Sequence, residues 1–193
     1  MSSTYFTSDL HFGHKNVIEF CNRPWTFEEQ DEEIIERWNK KVGVMDPVYH
    51  LGDFTFKGPK HVDYVVSLIN QLNGRIHFIR GNHCDLRLWR LIEDMNIPHI
   101  EWIKDYAEIK VGRQKIILSH YAFRHWNNMH HGSWQLHGHS HGSLPPVGKQ
   151  LDVGIDNHPD FQIFSLDDVR DHMAQQEFVE NDHHTRENAE AGR

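Results

Sequence analysis

Thr4-Tyr5-Phe6-Thr7-Ser8-Asp9-Leu10-His11-Phe12-Gly13-His14 decides how the rest of the chain is read. Its first half has the β-branched and aromatic content of a short strand. Its second half alternates polar with apolar residues, so a carboxylate and two imidazoles follow directly on a strand end. The same junction recurs downstream. Residues 47–51 read as a second strand that stops at Gly52-Asp53-Phe54, and residues 75–79 as a third that stops at Arg80-Gly81-Asn82-His83. A hairpin over residues 106–111 and 115–118, turning at Gly112-Arg113-Gln114, ends in Ser119-His120. Trp134-Gln135-Leu136 then leads into His137-Gly138-His139-Ser140-His141-Gly142, with three imidazoles at alternate positions.

Helices are predicted between these strands. Thr26 and Glu29 have capping-box spacing ahead of a helix that carries Ile34, Trp38 and Val42 on one face. A second apolar stripe runs over residues 59–72 and is closed by Gly74, and a third covers residues 85–95. Further strands over 151–155 and 161–164 precede a short helix that Ser165 can cap. The pattern predicts an α/β fold, a four-layer αββα sandwich of two mixed sheets flanked by helices, with the polar groups gathered at the C-terminal ends of strands. One domain is expected over 1–176 and a flexible or disordered tail over 177–193, where His183 and His184 read as solvated. Residues 121–132 lack periodicity, and such loops are usually functional or mobile.

Composition narrows the function classes. The 193 residues are 38% hydrophobic and 25% charged, no apolar run approaches membrane-spanning length, and the N-terminus has no signal-peptide pattern. Two cysteines, Cys21 and Cys84, are too few for a disulfide framework, which fits a reducing cytoplasm. A formal charge of −8 argues against coating duplex nucleic acid, although bound divalent cations reverse the sign locally. The outlier is the histidine count, 18, and the positions of those residues decide what they mean.

Each strand-end residue has an ordinary reading: Asp9 or Asp53 as a turn cap, Asn82 in a left-handed turn, His120 as a core histidine, the His137–His141 stretch as solvated surface. Taken together and in order, they form a donor set of carboxylates, a carboxamide and imidazoles. That set suits two first-row divalent ions such as Mn²⁺, Fe²⁺ or Zn²⁺, whereas Ca²⁺ would take nearly all oxygen. Two such ions roughly 3.5–4 Å apart can share a carboxylate and a water.

Asp9-Leu10-His11, Gly52-Asp53, Gly81-Asn82-His83, His120 and Gly138-His139-Ser140-His141 resemble the ordered motif set of the calcineurin-like metallophosphoesterases over residues 4–156. Within that superfamily the chain is most similar to the small single-domain branch of bacteria and phages. The resemblance implies that Asp9, His11 and His141 hold one metal, that Asn82, His120 and His139 hold the other, and that Asp53 bridges them. It also implies a phosphoesterase in which a metal-bridging hydroxide attacks in line and His83 protonates the leaving oxygen. Arg80 or Arg124 would steady the phosphoryl charge, and His14 would touch substrate or an outer shell. The implied cofactors are two divalent ions, Mn²⁺ first and then Fe, Zn or Ni.

One departure stands out. The superfamily follows its Asn-His pair with an acidic residue that orients the histidine, but here Cys84 holds that place and Asp85 comes one later. Either Asp85 takes over through a small change in the turn, or His83 is less well held and the pH optimum shifts. The expected substrate is a small phosphate mono- or diester, nucleotide-like by analogy, with no duplex and no membrane as partner. Tyr121, Trp126 and Trp134 are candidates to stack a base or to belong to the core. The competing functions are a non-catalytic metal-binding module of the same fold and a phosphoprotein phosphatase.

Overall fold

The computed structural model describes residues 3–177; the expected tail, apart from Glu177, lies outside the described residues. The first sheet has the order β4-β3-β2-β1-β9, built from β1 (Tyr5–Thr7), β2 (Pro47–His50), β3 (Arg75–Ile79), β4 (Ile100–Lys104) and β9 (Phe164–Ser165). Strands β1 to β4 run parallel, while β9 lies antiparallel along β1. The second sheet has the order β5-β6-β7-β8, from β5 (Tyr106–Val111), β6 (Gln114–Ser119), β7 (Trp134–His137) and β8 (Gln150–Asp152). Here β5 and β6 form the antiparallel hairpin and the other pairs are parallel, so both sheets are mixed.

Alternation along the first sheet separates two cores. Tyr5, Val48, Ile76 and Phe78 face α2 (Phe27–Lys41), α3 (Val62–Gln71) and α4 (Leu86–Asp94), packing with Ile34, Trp38, Val65, Ile69, Leu88 and Ile92. Phe6, Leu51 and Ile79 face the other way, against Ile116, Leu118 and Leu136 of the second sheet. Each such side chain contributes about 1.5–3 kcal/mol by leaving water. Thr26 and Glu29 close the expected capping box at the start of α2. The fourth layer is thin. α5 (Leu166–Gln175) packs on β8 and β9, while Ile117 on the outer face of the second sheet is covered by Trp126 and Met129 from the 121–132 loop. That loop therefore has an anchor and a single 3₁₀ turn, Met129–His131.

Several elements depart from the sequence pattern. The 59–72 helix opens as a 3₁₀ turn, Pro59–His61, with Pro59 at its first position, where the missing N–H costs no helical bond. The strand expected over 151–155 gives way to a 3₁₀ turn at Ile155–Asn157, and that expected over 161–164 shrinks to Phe164–Ser165. Strand β4 and the five-residue helix α1 (Asn16–Phe20) have no counterpart in the pattern. β4 is an edge strand with a register shift opposite Ile76/His77, which blurs its alternation. No helix among the described residues is long and apolar enough to cross a membrane.

Candidate metal centre

Because β1, β2 and β3 are mutually parallel, as are β6 and β7, the segments leaving their C-terminal ends meet at one edge of the molecule. The segment after β1 is laced to the segment after β2: Asp9 N–H donates to the Gly52 carbonyl at 3.0 Å, and His11 N–H to that of Asp53 at 3.0 Å. Nine non-glycine residues of the described chain have left-handed backbone, and five are here: Asp9 (φ 57°), His11 (52°), Asp53 (55°), His139 (68°) and His141 (45°). Each costs about 1–3 kcal/mol, so surrounding contacts must hold it, and such strain concentrates at functional sites. Glycine permits the close approach. A Cβ on Gly138 would collide with the side chains of Ser8 and Asp9, and one on Gly81 with that of Asp53.

Two groups of ligand atoms result. In the first, Asp9 Oδ1 lies 3.9 Å from His11 Nε2 and 4.0 Å from His141 Nε2. Asp9 is fully buried; its Oδ2 accepts the His139 N–H at 2.9 Å, but its Oδ1 has no hydrogen-bond partner. Burial pushes this carboxyl up to about 7 and the His11 imidazole down to about 3. The second group is Asp53, His120 and His139. Asp53 Oδ2 sits 3.4 Å from His120 Nε2 and 4.0 Å from His11 Nε2, so this carboxylate stands between the groups. Against the burial that raises it, the contact with His120 and the His83 N–H hold the Asp53 carboxyl at about 2. Asn82 Oδ1 is 2.8 Å from His120 Nε2, and His83 Nε2 is 4.0 Å from Asp53 Oδ2. The fold thus brings together all seven expected ligands and His83. A buried carboxyl oxygen left unpaired among converging imidazole nitrogens is a donor set that divalent transition metals fit.

The two groups are braced differently. His120 Nδ1 is fixed by the Leu51 carbonyl at 2.8 Å, which turns Nε2 inward. His141 Nδ1 is 2.8 Å from Asp156 Oδ2, and Asp156 is gripped by Arg23 through two bonds of 2.7 and 3.0 Å. The same guanidinium donates to the carbonyls of Asp9 (2.7 Å) and Leu10 (2.8 Å) and to Gln30 Oε1 (3.0 Å). Cys21 Sγ lies 3.3 Å from His141 Nδ1. The sequence pattern assigns no place at the site to Cys21, Arg23 or Asp156. They sit in turns and a short loop, and 133 residues separate Arg23 from its carboxylate, so no local pattern announces the pair.

The remaining expected residues divide. His14 stacks on Phe56 with ring centroids 4.3 Å apart, beside the cluster. Arg80 is engaged by Asp105 at 2.7 and 2.9 Å and by Glu93 at 3.6 Å, while Arg124 is exposed. Tyr121 is half exposed, its ring 4.8 Å from that of His139, whereas Trp126 is core and Trp134 is partly buried against the inter-sheet core. His137 is buried with Nδ1 2.9 Å from the Gly138 carbonyl. Asp85 caps α4 through the Arg87 N–H at 2.9 Å and pairs with the Arg87 side chain, and Cys84 Sγ accepts the Gly81 N–H at 3.1 Å. Neither orients His83.

No family model matches the chain. It is 30% identical over 164 residues to the uncharacterized protein MJ1445 of Methanocaldococcus jannaschii, covering 81% of this chain and 83% of that protein. It is 32% identical over 197 residues to the Gene 66 protein of Mycobacterium phage D29, covering 89% and 96% respectively. Among solved structures, the protein of unknown function AQ665 from Aquifex aeolicus has the same fold, with TM-score 0.66 and 24% identity over 89% of this chain and 99% of that one. The chain therefore belongs to the protein family that includes MJ1445 and the mycobacteriophage gene 66 product.

Proposed function

We propose that this chain is a calcineurin-like metallophosphoesterase, a hydrolase of small phosphate mono- or diesters, nucleotide-like ones foremost, working with two divalent ions, Mn²⁺ foremost. The observation that carries this reading is the buried Asp9 Oδ1, without a partner and faced by His11 and His141, beside a second trio that shares Asp53. Asp9, His11 and His141 would hold one ion, Asn82, His120 and His139 the other, and Asp53 both. Such ions supply a water of lowered pKa and positive charge against the phosphoryl oxygens. His83, at the rim of the cluster with its Nε2 4.0 Å from Asp53, holds the proton for the leaving oxygen. Arg80 is tied to acidic partners, so the exposed Arg124, with His14, is the proposed contact to substrate. The two free cysteines support a cytoplasmic location.

The test is metal analysis of the purified protein together with hydrolysis of p-nitrophenyl phosphate, bis-p-nitrophenyl phosphate and 2′,3′-cyclic nucleotides after adding Mn²⁺. Two ions per chain and turnover of at least one substrate are expected. Asp53→Asn abolishes turnover and lowers occupancy of both ions; loss of one ion alone would refute the shared carboxylate.

A further inference from the structure

We infer that Phe56 is the positioning residue for His83, clamping its ring in place by a close, tilted ring-on-ring contact. Among the described residues, the His83 ring has no hydrogen-bond partner, and the nearest acidic group of its own loop, Asp85, is taken up by the α4 cap and Arg87. The His83 ring instead lies on Phe56, with centroids 4.2 Å apart and planes 31° apart. His14 lies on Phe56 as well, at 4.3 Å and 19°. His11 completes the surround, 5.8 Å from His83 and 5.7 Å from His14. A phenyl ring 44% exposed at the rim of a polar cluster has little burial to justify it, and its contacts here are with imidazoles.

The anchoring of Phe56 explains how it can act as a support. Thr55, one residue before it, is buried, its hydroxyl donating to the Phe12 carbonyl at 2.9 Å and accepting the Lys57 N–H at 3.1 Å. The ring therefore rises from a segment tied to the turn that carries His11 and Asp53. A close ring-on-ring contact of this kind restrains the imidazole while leaving both its nitrogens free for protons, unlike a carboxylate partner, which occupies one. Phe56 thus aims His83 without engaging either nitrogen.

This inference rests on the proposed reaction only for its kinetic consequence, so the experiment has two arms. In metal-free protein, Phe56→Leu should move the Hε1 resonances of His14 and His83 downfield together, as the ring current is lost, while Phe56→Tyr leaves both near their original positions. With metal, Phe56→Leu should lower kcat about tenfold or more on phenyl esters, whose leaving group needs a proton, and far less on p-nitrophenyl esters, with metal content unchanged and any rise in KM, through His14, shared by both esters. Phe56→Tyr should restore the rate. Unmoved resonances, or equal loss on both leaving groups, would overturn the inference. If the wild-type chain hydrolyses no ester, the proposed reaction falls, and the resonances alone decide the clamp.

Discussion

The two halves of the metal centre are built on different principles. Asp9, His11 and His141 are held by a buried charge network, in which Arg23 binds Asp156 and through it His141, while also binding the carbonyls of Asp9 and Leu10. Asp53, His120 and His139 are held by the backbone: the Leu51 carbonyl on His120, the His83 N–H on Asp53. The first half is deep and depends on a few strong, desolvated interactions; the second is shallower, with His139 and Asn82 exposed. A charge network is vulnerable to a single substitution, because the partner left behind is a buried unpaired ion. A backbone brace is not.

Arg23→Met should break this comparison most sharply. It leaves Asp156 buried with only the His141 imidazole to pair it and takes the donor from the Asp9 and Leu10 carbonyls, at a cost of roughly 3–5 kcal/mol. Thermal unfolding should show Tm lowered by about 10 °C or more, and metal analysis should show one ion lost and one retained. Retention of both ions would mean that the network does not order the first half. His139→Ala is the counterpart: it should also lose one ion, but with Tm of the metal-free protein within about 2 °C of wild type, since an exposed side chain away from the core contributes little to stability. A fall comparable to that of Arg23→Met would erase the distinction. The smallest effect should come from Glu108, which lies on the β5–β6 hairpin and belongs to neither ligand group. Hydrogen bonds from Lys115, Tyr106 and Asn127 hold its carboxyl at about 2, below the ordinary 4.5. Its contribution is therefore present above pH 4.5 and lost as pH falls through about 2. Because Glu108 is solvent-screened, Glu108→Gln should flatten the acid limb of a Tm-against-pH curve only slightly and leave both ions in place.

Much of this architecture is legible in the sequence for a physical reason. Asp9, His11, Asp53, Asn82, His120, His139 and His141 each follow a strand within a few residues, so strand periodicity locates them, and parallel topology collects them. Amphipathic spacing locates α2, α3 and α4 in the same way. What escaped has no local signature. Arg23 and Asp156 meet only through the tertiary fold, and Phe56 reads as one more apolar residue after a strand. Arg80 shows the opposite failure: it stands beside a motif in sequence, yet Asp105, 25 residues away, claims its guanidinium.

The antiparallel strand β9 has a consequence for the order in which the protein is made. β1 leaves the ribosome before the other described strands, and one of its edges is covered early, once β2 arrives. Its other edge waits for Phe164 and Ser165, near the end of the described chain. Throughout synthesis the strand that delivers Asp9 and His11 therefore keeps an open flank, and Asp156, which steadies their partner His141, emerges only a few residues before that flank is sealed. A nascent chain halted before residue 164 would carry every proposed ligand and still lack the strand that borders the first of them.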